Sequence, residues 1–236
     1  MSKSIETTLI CSKCKKHSHI TVWESINVNL DPWLKQKVVD GSLFIVSCPR
    51  CSARQIVKSP ALYHDPMYKF MVWWFPKDDE GNQHYNLEQL NLFIPMTPRY
   101  KLRIVSSLNE LREKIFIFEH ELDDRATEIL KSDIWNTLLE KRGVKKNSIY
   151  FSTAYHESGE QTIEFMYFDP DGNSRVICAR GKNGYSRAID LLLSMHVPAD
   201  ETPHWEIIDS SFWSLVQKTR DQGVKIEVEK KELSIP

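Results

Sequence analysis

Four of the five cysteines fall into two pairs of identical spacing, Cys11-x2-Cys14 and Cys48-x2-Cys51. A CxxC pair in a tight turn presents both sulfurs on one side, and two such turns facing each other offer four thiolates to a tetrahedral ion. Zinc is the expected ion. An iron–sulfur cluster would use the same four cysteines, but redox-silent zinc, which accepts thiolate readily, fits a cytosolic chain better. The expected ligands are Cys11, Cys14, Cys48 and Cys51, and the 33 residues from Lys15 to Ser47 between the pairs exceed the usual ribbon spacing. Four thiolates close the coordination sphere, so the ion is expected to be structural, organising the fold rather than catalysing a reaction. His17 and His19 stand beside the first pair and leave a mixed cysteine and histidine site open. A redox dithiol is the competing use of one pair, but it wants a βαβ setting that the flanking residues do not supply. Cys178, within Val176-Ile177-Cys178, reads as a small core residue.

The other polar groups read as architecture first. Tyr63-His64-Asp65 holds a histidine beside a carboxylate, yet adjacent side chains point apart in extended chain and Pro66 announces a turn. His156-Glu157 and the pair Asp169 and Asp171 fall at strand ends or turns, where polar residues are expected without any chemistry. Asp169-x-Asp171-Gly172-Asn173 lacks the bidentate Glu of a calcium loop. Arg180-Gly181-Lys182-Asn183-Gly184 is a basic loop ahead of a helix and matches no nucleotide fingerprint. Lys13, Lys15, Lys16, Arg50 and Arg54 make the cysteine turns locally positive; they fit either phosphate contacts or neutralisation of the thiolates. Trp73, Trp74 and Phe75 are aromatic enough to stack bases but read as core. No catalytic residue and no organic cofactor are assigned.

The elements that must place the cysteines are two hairpins. Thr7 to Ile10 runs into the first pair and Ser18 to Val22 runs out; Leu43 to Val46 runs into the second pair and Gln55 to Val57 runs out. Between them a short helix is predicted, with Asp31 as N-cap, Pro32 at its first position and Gly41 as its stop. Lys69 to Phe75 reads as a strand, Pro76 to Asn82 as a turn with a hairpin or bend after it, and Arg103 to Val105 as a further strand. Ser107-x-x-Glu110 is a capping box opening a helix to about His120. A second helix begins near Asp123 or Asp124, with Ala126, Ile129, Leu130, Ile134 and Leu138 on one stripe. Gly143 ends it, and the domain boundary is expected near Lys146. Beyond it come a meander of three strands (149–155, 162–168, 175–179), helices over 186–195 and 210–219, and an edge strand over 224–228. The fold class is therefore α+β. A zinc-ribbon-like N-terminal domain with an inserted helix occupies 1–146, and a small α+β C-terminal domain occupies 147–236.

Composition fixes the class. With 236 residues, 41% of them hydrophobic and 27% charged, the chain can bury a core, which excludes a disordered or collagenous protein. The formal charge of −1 gives no whole-molecule attraction to nucleic acid or an anionic membrane, so any such site must be local. The most apolar run, Phe70 to Phe75, is far too short to span a bilayer, and Glu6 interrupts what would be a signal segment. An odd cysteine count with two CxxC pairs fits a reducing compartment, so a cytoplasmic protein without membrane contact is expected.

At Cys48-Pro49-Arg50-Cys51, together with Cys11-Ser12-Lys13-Cys14, the chain resembles the CpXC domain family, named for these paired motifs. The likeness extends through Trp23-Glu24-Ser25-Ile26-Asn27, Asp31-Pro32-Trp33-Leu34-Lys35, Leu43-Phe44, Tyr63-His64-Asp65 and Glu113-Lys114-Ile115, covering about residues 8 to 125. The family is prokaryotic and functionally uncharacterised, so the resemblance implies the four ligands and an intracellular bacterial setting, and no activity. Ser12 stands where the family name implies Pro. The expected function is an intracellular zinc-binding module with a protein partner. Nucleic-acid binding through the basic turns is the alternative, and an enzymatic site in the C-terminal half is the third reading.

Overall fold

The computed structural model describes residues 2–221 except 87, 88, 91, 93, 95–98, 158, 181–183 and 196–202. The strand expected over 224–228 and most of the basic loop at 181–183 lie outside the described residues. The chain packs as two compact units, Met1–Glu121 with Asp200–Ile207, and Leu122–Ala199 with Ile208–Pro236. Among the described residues no helix is long and apolar enough to cross a membrane.

The first unit is built on a mixed sheet. Its strands are β1 (Lys3–Ile10), β2 (His17–Asn27), β5 (Ala61–Asp65), β6 (Phe70–Trp74), β7 (Lys101–Val105) and β11 (Trp205–Glu206), and its order is β1-β2-β5-β6-β7-β11. The β1/β2 and β5/β6 pairs are antiparallel; β2/β5, β6/β7 and β7/β11 are parallel. Between β2 and β5 the chain forms helix α1 (Pro32–Val39) and a separate small hairpin, β3 (Ile45–Ser47) with β4 (Arg54–Ile56). The paired cysteines thus belong to hairpins of a domain larger than a ribbon.

Local residues explain these elements. Pro32 supplies the preset φ of a first helical turn, and Gly41 turns the chain out of α1 at φ +80°, a left-handed conformation open to glycine. Asp31 precedes the helix as expected but makes no side-chain capping bond. Helix α2 (Leu108–Glu119) opens with the full capping box: the Glu110 amide donates to the Ser107 hydroxyl and the Ser107 amide to the Glu110 carboxylate. It packs on β6 and β7, with the Phe118 ring 5.0 Å from that of Phe70. In the middle of the sheet Tyr63, Phe70, Val72 and Leu102 have no exposed surface. Trp74 and Phe75 are buried and Trp73 is half-buried, so this aromatic run is core. The two-residue strand β11 has no local sequence signal; its Glu206 forms a buried ion pair with Arg103 at 2.8 Å.

The second unit starts with helix α3 (Asp124–Ile134), capped by Asp123, whose carboxylate accepts from the Arg125 amide. Burial opposes ionisation of Asp123, but hydrogen bonds and the positive charge of Arg125 outweigh it and hold the pKa below the usual carboxylate range. Ala126, Ile129, Leu130 and Ile134 are buried as the stripe predicted. Leu138 is not: it is 47% exposed, whereas Leu139 is fully buried. The cause is a π-helical turn over Trp135–Leu139, which adds a residue to the turn and moves the inward position along by one. Strands β8 (Ile149–Glu157), β9 (Glu160–Phe168) and β10 (Ser174–Arg180) form the expected antiparallel meander. Helices α4 (Tyr185–Ser194) and α5 (Phe212–Asp221) close on α3 around Ala126, Ile129, Ala188, Leu192, Trp213 and Val216.

This packing explains why α3 belongs to the second unit, which begins at Leu122. Helix α3 buries its stripe against α4 and α5, so it folds with the second unit, and Gly143 is the end of a helical segment inside that unit.

Candidate metal centre

Each cysteine pair sits at the tip of an antiparallel hairpin, and the two tips repeat one backbone pattern. In the first, the Cys11 amide donates to the Lys16 carbonyl at 2.9 Å and the Lys15 amide to the Cys11 carbonyl at 3.0 Å. In the second, the Cys48 amide donates to the Ala53 carbonyl and the Ser52 amide to the Cys48 carbonyl, both at 2.9 Å. Lys15 and Ser52 occupy the same place in the two tips and both adopt left-handed backbone, at φ 57° and 56°. That conformation reverses the chain straight after the second cysteine of each pair, leaving both sulfurs on one side. Pro49 presets the turn in the second tip.

The first tip is tied to the second hairpin by Gln55 on β4, which accepts from the Ser12 amide at 3.0 Å and the Ser12 hydroxyl at 3.2 Å and donates to the Ile10 carbonyl at 3.4 Å. A proline at position 12 has no N–H to offer, so Ser12 serves this crossing bond in place of the rigidity that Pro49 supplies.

The four sulfurs converge. Cys11 and Cys51 are 3.7 Å apart, Cys14 and Cys48 are 3.6 Å apart, and all four lie within 4.8 Å of one another. A disulfide would require about 2.05 Å. Zinc–sulfur bonds of about 2.3 Å in a tetrahedron give sulfur–sulfur edges of about 3.8 Å, which the two shortest separations match. Cys11 and Cys48 are buried and Cys14 and Cys51 half-buried, so water is largely kept from the centre.

The electrostatics point the same way. The Cys14 amide, with that of Lys13 behind it, holds the Cys11 thiol below its ordinary pKa against the opposing effect of burial. At Cys48 the amides of Arg50 and Cys51 bring the pKa down to about 6. Cys51 is pushed up to about 11: the Ala53 amide favours its thiolate, but burial and the three neighbouring sulfurs together outweigh it. Four thiolates in this space repel one another, and a divalent cation at their centre removes the conflict. Four thiolates also leave a bound ion no open position, so the arrangement can cross-link but offers no coordination place for substrate.

His17 and His19 are exposed on β2, and the cluster contains neither. Lys13, Lys15, Lys16, Arg50 and Arg54 are all exposed around the tips. Tyr63-His64-Asp65 lies on β5 and does not form a histidine–carboxylate pair. His64 Nε2 is bonded to the Tyr100 hydroxyl at 2.8 Å, while Asp65 accepts from the amides of Met67 and Tyr68 in the following turn. Asp169 accepts from the amides of Asp171 and Asn173 and pairs with Arg175, as a turn residue does. Cys178 departs from the expectation of a core residue: it is exposed, because β10, one of the two edge strands of its sheet, presents most of its residues to solvent. Gln55 is the site residue that sequence reasoning missed, its partner lying 43 positions away.

No curated protein and no solved structure matches the chain. A family model described as CpXC protein matches residues 9–131, more than half of the chain, and spans both hairpin tips. The repeated cysteine turns and the extent of that match place the chain in the CpXC family.

Proposed function

We propose that the protein binds one zinc ion through Cys11, Cys14, Cys48 and Cys51, and that this ion is structural, shaping the N-terminal half into a binding module for a partner inside a bacterial cell. The observation that carries the reading is the convergence of four sulfurs from two hairpins at separations of 3.6 and 3.7 Å, in keeping with tetrahedral thiolate geometry. Zinc fits better than a harder cation because all four donors are soft sulfurs, and its lack of redox chemistry suits a site with no exchangeable position. The chemistry supports a cytoplasmic setting, since clustered thiolates persist under reducing conditions where disulfides do not. The C-terminal meander and helices then serve recognition.

Native mass spectrometry of protein purified from its own cells is expected to show one zinc per chain, and Cys48→Ser is expected to lose the metal and lower the melting temperature. Protein that carries no metal, or a Cys48→Ser variant as stable as the parent, would defeat the reading.

A further inference from the structure

We infer that the outer face of the two cysteine-bearing tips is a docking surface for the phosphate backbone of a nucleic acid; this rests on the metal reading above and names the partner of the same module.

The first observation is the distribution of charge. No acidic residue occurs between Glu6 and Glu24, or between Asp40 and Asp65, and the two tips lie within these stretches. Lys13, Lys15, Lys16, Arg50 and Arg54 are exposed there, and none is ion-paired among the described residues. The flanking acids are occupied: Glu24 pairs with Lys3 at 2.6 Å and Glu6 accepts from the Thr21 hydroxyl at 2.6 Å.

The second observation weighs the alternative use of these cations. Four thiolates with a divalent ion carry two net negative charges, whereas the tips carry five fixed positive ones. Neutralising the centre therefore leaves an excess of three, on a chain whose total is −1. The convergence of the sulfurs brings together the two tips that carry these cations, three lysines on the first and two arginines on the second. Lys15 is held in left-handed backbone, a place glycine would occupy without strain. His17 and His19 are exposed next to the first tip on β2, and Ile10 and Ile56, 54% and 55% exposed, are the apolar residues that flank the cysteine turns. Two acid-free stretches that carry clustered, exposed Lys and Arg to adjoining hairpin tips fit the evenly spaced charges of a nucleic-acid backbone.

The test is fluorescence anisotropy with the full zinc-loaded chain and three labelled probes of mixed sequence: single-stranded RNA, single-stranded DNA and duplex DNA, each about 20 nucleotides or base pairs. Five phosphate contacts predict a loss of roughly a hundred- to five-hundredfold in affinity between about 50 and 200 mM salt. The Lys15→Glu/Lys16→Glu variant, with zinc content unchanged, is expected to bind at least tenfold more weakly at about 50 mM salt and to lower the salt slope by about two. Lys141→Glu/Arg142→Glu makes the same charge change on exposed residues elsewhere and should bind like the parent. The three probes report which nucleic acid is preferred.

Absence of binding to all three at low salt, or parental binding by the Lys15 and Lys16 variant, would overturn the proposal. So would capture of labelled polyglutamate more tightly than any nucleic acid, which would mark an acidic protein as the partner. Zinc-free protein that still binds through Lys15 and Lys16 would sink the metal reading alone and leave this surface standing.

Discussion

At the scale of single residues, Ser12 and Gln55 divide between them what proline does in the other cysteine turn. Pro49 stiffens its tip through its own ring, whereas Ser12 keeps an N–H and spends it on Gln55. The two residues should therefore be coupled energetically. In urea denaturation of the zinc-loaded protein, Gln55→Ala is expected to cost about 0.5 to 1 kcal/mol in the parent and close to nothing in the Ser12→Pro background. Equal costs in both would show that the crossing bond contributes nothing. The cysteines themselves were legible because CxxC spacing is a local code for a turn that aims two sulfurs together. Gln55 was not, because one polar residue on a short strand gives no sign of a partner on another hairpin. Cys178 was misjudged for a related reason: Val176 and Ile177 read as buried, but burial depends on what covers an edge strand.

At the scale of elements, α3 shows how far periodicity reaches. The spacing of Ala126, Ile129, Leu130 and Ile134 identified the buried stripe because regular helix turns every 3.6 residues. The π-helical turn at Trp135–Leu139 ends that regularity and substitutes Leu139 for Leu138 at the inward place. Leu139→Ala is thus expected to destabilise the protein by about 2 to 5 kcal/mol, and Leu138→Ala to stay within about 0.5 kcal/mol. Thermal or urea unfolding of the two variants checks this, and the reverse order would restore an uninterrupted helix. Other elements left weaker traces. Strand β5 is buried at Ala61, Leu62, Tyr63 and Asp65, so it lacks the alternation that marks a half-buried strand, and Pro66 directed attention to the turn instead. Strand β11 is two residues long and owes its existence to pairing with Leu102 and Arg103, far back in the chain.

At the scale of the whole molecule, the averaged quantities conceal the feature of most interest. A total of −1 argues against nucleic acid until the acids are mapped, when the two cysteine-bearing stretches prove to hold none. The membership of a unit is likewise decided away from local signals. Gly143 is a sound local stop signal, but which unit a helix joins is decided by the partners that cover its apolar stripe, here α4 and α5. Because the sulfurs come only from the hairpins at 10–17 and 47–54, metal removal should act on the strands of those two hairpins. Hydrogen exchange after treatment with a strong chelator is expected to accelerate at β1, β2, β3 and β4 and to leave β8, β9 and β10 at their original rates. Equal acceleration in β8, β9 and β10 would contradict a locally acting ion.

The convergence of Cys14 and Cys48 also has a consequence in polymer physics. An ion gripping both ends would pinch off the 33 intervening residues as a closed ring, even when the rest of the polypeptide has lost its shape. In the chain-entropy account such a tether withholds about 4 kcal/mol of disorder from the denatured ensemble. Unlike a covalent sulfur bridge, such a tether would form under reducing conditions and be released by competition for the ion, so the amount of metal at hand would set how rigid this part of the molecule is.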